Sequence, residues 1–262
     1  MQEFYKYHGA GNDFILIDNR KNDFVIDNQT IKTLCDRRLG IGADGLILLN
    51  SSDNPAADFN MQYFNADGFE GSMCGNGGRC IVAFAKKLNI INENIVFSGI
   101  DGLHKAMIIH SQENKMEIRL QMKDVDEIVS FDDGYFLDTG SPHVVKFVDN
   151  LQNINIKEEG ERIRYDSRLV NGTNVNFVQI QNDTVYVRTF ERGVEDETLS
   201  CGTGVTASAL TWAKKQAIPS PIIIHTQGGK FLVSFHYENN LFTDIWLQGE
   251  TCFVFKGVLA DR

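Results

Sequence analysis

The chain has 262 residues, 42% of them hydrophobic, with a net charge of -10 at pH 7 and an isoelectric point near 5.1. That length holds one large domain or two modest ones with real cores. The acidic balance and the lack of any lysine or arginine block exclude a nucleic-acid footprint or an anionic membrane surface, so small molecules are the expected partners.

In chain order, short apolar or alternating runs bounded by Gly, Asn or Asp predict strands at residues 14–17, 46–49, 59–64 and 116–122, with a helix over 30–38 that Asn28 can cap and another over 79–88. Residues 123–134 are acidic and weakly periodic, and read as an interdomain connection. Strands follow at 144–148, 177–180 and 185–190, then an Ala-rich helix over 205–217, strands at 231–235 and 242–247, and a leftover strand at 253–259 that returns to the first domain. The start, Met1-Gln2-Glu3-Phe4-Tyr5-Lys6, has an early acid and no signal-like apolar run, and no stretch is long enough to span a bilayer. Cytoplasm is the expected compartment.

One unit occurs twice. Cys74-Gly75-Asn76-Gly77 and Cys201-Gly202-Thr203-Gly204 lie 127 residues apart, and Gly102 and Gly229 keep the same offset. Before each cysteine an alternating stretch ends in phenylalanine, Met61-Gln62-Tyr63-Phe64 and Val187-Arg188-Thr189-Phe190. A fixed offset shared by several features indicates two copies of one structural unit, each with a thiol in an equivalent place. The expected domains are residues 1–122 plus 253–262, carrying Cys74, and residues 123–252, carrying Cys201.

Five cysteines, an odd number, make a disulfide framework improbable, and with no Cys-x-x-Cys pair and scattered single histidines no metal site is expected. Cys35, Cys80 and Cys252 sit in apolar patterns and read as core packing. Cys74 and Cys201 differ. A cysteine that begins a helix gains free N–H groups and a dipole that lower the thiol pKa from about 8.5 and also bind a carboxylate. Two such thiols facing one α-amino acid would serve as base and acid, removing the α-proton on one face and returning it on the other.

At these residues the sequence closely resembles the diaminopimelate epimerase family. The matches are His8-Gly9-Ala10-Gly11-Asn12-Asp13-Phe14, Gly40-Ile41-Gly42-Ala43-Asp44-Gly45, Asn65-Ala66-Asp67-Gly68, Met73-Cys74-Gly75-Asn76-Gly77-Gly78-Arg79-Cys80, Ser141-Pro142-His143, Asn174-Val175-Asn176-Phe177, Glu191-Arg192-Gly193 and Cys201-Gly202-Thr203-Gly204. They span nearly the whole chain in the family's order. The resemblance implies interconversion of LL- and meso-diaminopimelate, on the route to lysine and the peptidoglycan cross-link, with no cofactor. It makes Cys74 and Cys201 the acid/base pair, with His143 and Glu191 supporting them. It places substrate contacts on Asn12, Asn65, Asn174, Glu191 and Arg192, with Gly75-Asn76 and Gly202-Thr203 as helix-terminal cradles for the reacting carboxylate.

The implied fold is α/β of the α+β type: two pseudo-symmetric domains, each a mainly antiparallel curled sheet around a central helix, with the active site in the interdomain cleft. The strand-rich, duplicated chain agrees with it. A homodimer is compatible with the resemblance. Three departures stand out: Ser141 where many members have asparagine, Gly45 where some carry glutamine, and a stretch between Glu191 and Cys201 that is one residue longer and more acidic than the commonest version. Competing readings are a proline or hydroxyproline racemase, a thiol redox enzyme, and an amino-acid-binding module without catalysis.

Overall fold

The computed structural model describes residues 2–24, 27–71, 73–91, 94–132, 134–182 and 184–259. Met1, Asp133 of the acidic segment and residues 260–262 of the expected first domain lie outside the described residues. The chain divides into two compact units, Met1–Leu120 with Gly249–Arg262, and Gln121–Gln248.

The first unit comprises β1 (Glu3–Gly9), β2 (Asn12–Asp18), α1 (Asn28–Cys35), β3 (Gly45–Asn50), β4 (Phe59–Asn65), α2 (Gly75–Lys87), β5 (Asn94–Gly99), β6 (Gly102–Gln112) and β7 (Lys115–Gln121). The second comprises β8 (Val129–Phe131), β9 (Gly134–Asp138), β10 (Pro142–Phe147), α3 (Ile156–Arg164), β11 (Asn174–Gln181), β12 (Thr184–Glu191), β13 (Asp196–Thr198), α4 (Gly202–Gln216), β14 (Ile222–Thr226) and β15 (Gly229–Glu238). An 18-residue strand, β16 (Leu241–Val258), begins in the second unit and ends in the first.

Both units repeat one pairing order. Along β1-β2-β3-β4-β5-β6 neighbours are antiparallel, parallel, antiparallel, parallel and antiparallel. Along β9-β10-β11-β12-β14-β15 the same alternation recurs. In the first unit the C-terminal part of β16 pairs with both β7 and β1, so the sheet closes on itself. In the second, Val125 pairs with Phe242 and β8 pairs with β9. The acidic segment expected as a connection therefore supplies strand structure to the second unit.

Each sheet encloses a helix whose composition suits full burial. In α2, residues 75–85 are all buried, including Ile81, Val82 and Phe84, so the helix is apolar nearly all round rather than amphipathic. In α4 small side chains dominate, and the buried hydroxyls of Thr206, Ser208 and Thr211 donate to the carbonyls of Gly202, Gly204 and Ala207, so no polar group is stranded. Both helices start earlier than the apolar pattern predicts. Their glycine-rich first turns are poor helix formers in isolation, and enclosure by the sheet decides the matter.

The first connecting helix also starts early. Asp27, rather than Asn28, is its N-cap, and its carboxylate accepts from the Thr30 N–H at 2.6 Å. The helix stops at Cys35, because the Asp36 carboxylate takes the N–H groups of Arg38 and Leu39 into a turn. Helix α3, absent from the sequence expectations, lies between β10 and β11 as α1 lies between β2 and β3. Among the described residues no helix is long and apolar enough to cross a membrane.

Candidate active site

The two cysteines named from the sequence occupy one structural position. Cys74 is the N-cap of α2 with φ -105° and ψ 121°, and Cys201 is the N-cap of α4 with φ -121° and ψ 115°. An N-cap residue is extended while its carbonyl already accepts the first helical bond, as Cys74 does from Gly78 and Cys201 from Val205. The amides of the next residues, Gly75-Asn76-Gly77 and Gly202-Thr203-Gly204, are the first-turn donors that a helix cannot satisfy internally. Each thiol thus sits beside a cluster of N–H groups at the positive end of a helix, a setting that stabilises thiolate and attracts carboxylate.

Around Cys74, the Asn12 side chain at the start of β2 presents Oδ1 to the thiol at 3.5 Å and to Asn76 Nδ2 at 3.5 Å. Its Nδ2 donates to Asp44 Oδ2 at 2.7 Å, which fixes the amide's orientation. Asp44 is in turn held by Arg37, which also grips Asp13, and Lys6 pairs with Asp13 at 2.7 Å. Burial alone would raise the Asp13 carboxyl, but hydrogen bonds and charge from Arg37 and Lys6 outweigh it and hold its pKa near 2. Arg79, fully buried inside α2, donates to Asn76 Oδ1, and burial pushes its own pKa down to about 10.

Around Cys201 the partners are hydroxyls. Thr203 Oγ1 lies 3.4 Å from the sulfur and 3.2 Å from Ser141 Oγ, which lies 3.0 Å from His143 Nε2. His143 is fully buried on β10, and desolvation first, with the nearby Arg192 charge second, pushes its pKa down to about 3. At neutral pH the imidazole is uncharged. Asn176 and Asn174, both on β11, hold this group from behind, and Asn174 Oδ1 accepts from the Arg192 backbone N–H at 2.9 Å. Gly204 has a steric reason to be glycine, because a Cβ there would meet Asn176 Oδ1 at 2.2 Å.

Strand register relates the two groups. In the first unit Phe14 pairs with Gly45 and Leu46 with Phe64; in the second His143 pairs with Asn174 and Val175 with Phe190. Asn12 and Ser141 thereby correspond, as do Asn65 and Glu191, each next to its phenylalanine at the end of a strand. Asn65 is exposed, and Glu191 and Arg192 are half-buried. Glu191 Oε2 accepts from Thr198 Oγ1 at 2.8 Å. The longer 193–200 stretch folds as a turn followed by β13 along β12, and Glu195, at positive φ, ties it to Arg164 and Tyr165.

Asp13, Asp44, Arg37, Asn176 and Thr189 are the supporting residues that sequence reasoning left unassigned. Four of them lay within or beside quoted motifs, Asp13 and Asn176 among them, yet nothing local marks a side chain that acts by holding another. The other cysteines stay apart from this chemistry. Cys35 and Cys80 are buried, which pushes the Cys35 thiol up to about 12 and the Cys80 thiol higher still, while Cys252 is half-buried on β16.

The sequence profile of the diaminopimelate epimerase family matches residues 4–128 and 135–250. A diaminopimelate epimerase of Flavobacterium psychrophilum is 54% identical over 258 residues, covering 97% of this chain and 98% of the relative. One of Chlorobaculum tepidum is 42% identical over 96% of this chain and 99% of its own length. Among solved structures, a Bacillus anthracis phenazine biosynthesis protein of the PhzF family matches with a TM-score of 0.78 at 15% identity over 99% of both chains, a likeness of fold. The chain adopts this sheet-dominated, two-domain α+β fold, is an isomerase of the epimerase class, and belongs to the diaminopimelate epimerase family.

Proposed function

We propose that the protein interconverts LL- and meso-2,6-diaminopimelate without a cofactor, with Cys74 and Cys201 as the acid/base pair, in the formation of lysine and peptidoglycan precursors. The observation that carries this reading is the placement of both thiols at the same N-cap position of two equivalent, enclosed helices. One sulfur, as thiolate, takes the α-proton and becomes a thiol. The electron pair left on the α-carbon delocalises into the carboxylate, where first-turn amides of a helix stabilise the developing charge. The other thiol then delivers a proton to the opposite face and becomes the thiolate, so protons and charge balance over the turnover.

The remaining candidate residues divide by environment. Gly75, Asn76, Gly202 and Thr203 carry the helix-terminal donors for the reacting carboxylate. Asn65, which is exposed, and the half-buried Glu191 and Arg192 suit the distal ammonium and carboxylate, where one group of each sign is needed. Asn12 and Asn174 have amides engaged by the protein on both sides, so they contribute chiefly by fixing their neighbours. His143, neutral and buried, lies against Ser141 and supports Cys201 at one remove, through the Ser141 and Thr203 hydroxyls. Two functional thiols suit a reducing compartment, the cytoplasm.

The test is incubation of reduced protein with LL-diaminopimelate in deuterated water, following deuterium at the α-carbon and the meso product. Wild type should give both, and Cys74→Ala and Cys201→Ala should each lose inversion by several orders of magnitude. Wild-type protein that gives neither exchange nor product would rule out this substrate. Activity on proline that survives replacement of Glu191 or Arg192 would point instead to a racemase without a distal clamp.

A further inference from the structure

The hydrogen bonds around Cys201 have one consistent direction, and each step follows from the one behind it. Asn176 Nδ2 lies 3.1 Å from the Val144 carbonyl, an acceptor only, so that end of the amide must be the NH2. The same NH2 group lies 3.0 Å from His143 Nδ1, which must therefore accept. Thr189 Oγ1 donates to the opposite end of the amide, Oδ1, at 3.0 Å. A neutral imidazole that accepts at Nδ1 carries its proton on Nε2, and this N–H faces Ser141 Oγ at 3.0 Å.

Ser141 Oγ also receives a second donor, Asn174 Nδ2 at 3.2 Å. That amide is fixed too, because its Nδ2 reaches the Pro142 carbonyl at 3.0 Å and its Oδ1 accepts from the Arg192 N–H at 2.9 Å. With two N–H groups filling its lone pairs, the Ser141 oxygen has only its own proton to offer, and Thr203 Oγ1 is 3.2 Å away. Thr203, accepting from Ser141, has its own proton free for the Cys201 sulfur at 3.4 Å.

We propose that Ser141 is a positioning residue that, through Thr203 and backed by uncharged His143, aims a hydroxyl donor at Cys201 and so stabilises its thiolate, presetting this cysteine as a base. The proposal takes Cys201 as an acid/base group, as in the reading above, and adds how its charge is set. The corresponding place in the first unit is wired the other way: Asn12, locked by Asp44, turns an oxygen toward Cys74, and an oxygen accepts from a thiol. Among the described residues, the ionisable group in the relay to Cys201 is His143, on which the Arg192 charge acts, while Glu191 at the end of β12 is engaged with Thr198. About Cys74 the ionisable groups are Arg79, Cys80, Asp13 and Asp44, and the Arg79 charge favours thiolate there by a route that does not pass through a hydroxyl.

The experiment is alkylation of the substrate-free protein by iodoacetamide between pH 5 and 9, with the rate at each cysteine read by peptide mass spectrometry. Only thiolate reacts, so a rise of one unit in apparent pKa lowers the rate below that pKa by about tenfold. Ser141→Ala and Thr203→Val should each slow Cys201 about tenfold at pH 6 and shift its profile upward, leave the Cys74 profile in place, and Ser141→Thr should restore the wild-type profile. Unchanged Cys201 profiles in both hydroxyl-free variants would overturn the proposal. So would equal changes at both cysteines with a lowered melting temperature, since that marks a structural role alone. Because no substrate is present, failure here leaves epimerisation standing, whereas a relay that behaves as expected in a protein without deuterium exchange would sink the catalytic reading instead.

Discussion

Buried and uncharged, His143 ties the hydrogen-bonded surroundings of Cys201 to the stability of the second domain. Its folded pKa near 3 lies far below the usual value of 6.5, so between those limits the unfolded chain binds a proton that the native state refuses. Stability is complete above about pH 6.5 and falls as the pH drops toward 3, by several kcal/mol over the window at about 1.4 kcal/mol per unit. Asp13 acts lower: depressed from 3.8 to near 2 by Arg37 and Lys6, its contribution is present above about pH 4 and lost as the pH falls through 2. Urea unfolding measured from pH 7 to 4 should show a steep loss for wild type and a flatter one for His143→Gln, whose side chain does not titrate. Parallel curves would assign the loss to other groups. The equivalent placement of the two cysteines, each the N-cap of an enclosed helix, was legible in the sequence because a repeated offset singles them out. Ser141, Asn176 and Thr189 were not, since a side chain that acts by orienting another shows itself only through a contact many positions away.

At the scale of elements, the glycine-rich turns have the largest effect, since they become the first turns of α2 and α4 and carry the amides beside each thiol. Periodicity located both helices but not their starts, because apolar spacing begins only at Arg79 and Val205. Helix α3 escaped notice for the opposite reason: it is charged, and only Ile156, Gly160 and Ile163 are buried. Its place could have been inferred from the duplication, since α1 stands between the equivalent strands. The cap of α1 allows a simple check. Asp27→Ala removes the acceptor for the Thr30 N–H and should lower stability by about 1 kcal/mol, read as a shifted denaturation midpoint with an unchanged slope. The same change at Asn28, already inside the helix, should have a smaller effect.

For the whole molecule, duplication was visible from sequence through the shared 127-residue offset, and the return of the last strand through a leftover apolar run at the end. What the pattern could not show is that residues 242–247 and 253–259 belong largely to one strand, β16, with Gln248-Gly249-Glu250 inside the strand rather than a break in it. Its second half pairs with both β1 and β7 and so closes the first domain's sheet. Removing residues 249–262 should leave amide exchange protection within 121–248 largely intact while the strands of the first domain lose theirs, a contrast that hydrogen exchange by mass spectrometry resolves. Uniform protection in the shortened chain would mean that the ring is not required. The same strand also sets an order of events during synthesis. Chains commonly fold from the N-terminus as they leave the ribosome, yet here the domain translated first lacks its closing strand until residues 250–258 emerge. The second domain has all its parts by residue 248. The early half of the sheet therefore stays open, with the edges of β1 and β7 unpaired, for the whole time the later half is being made.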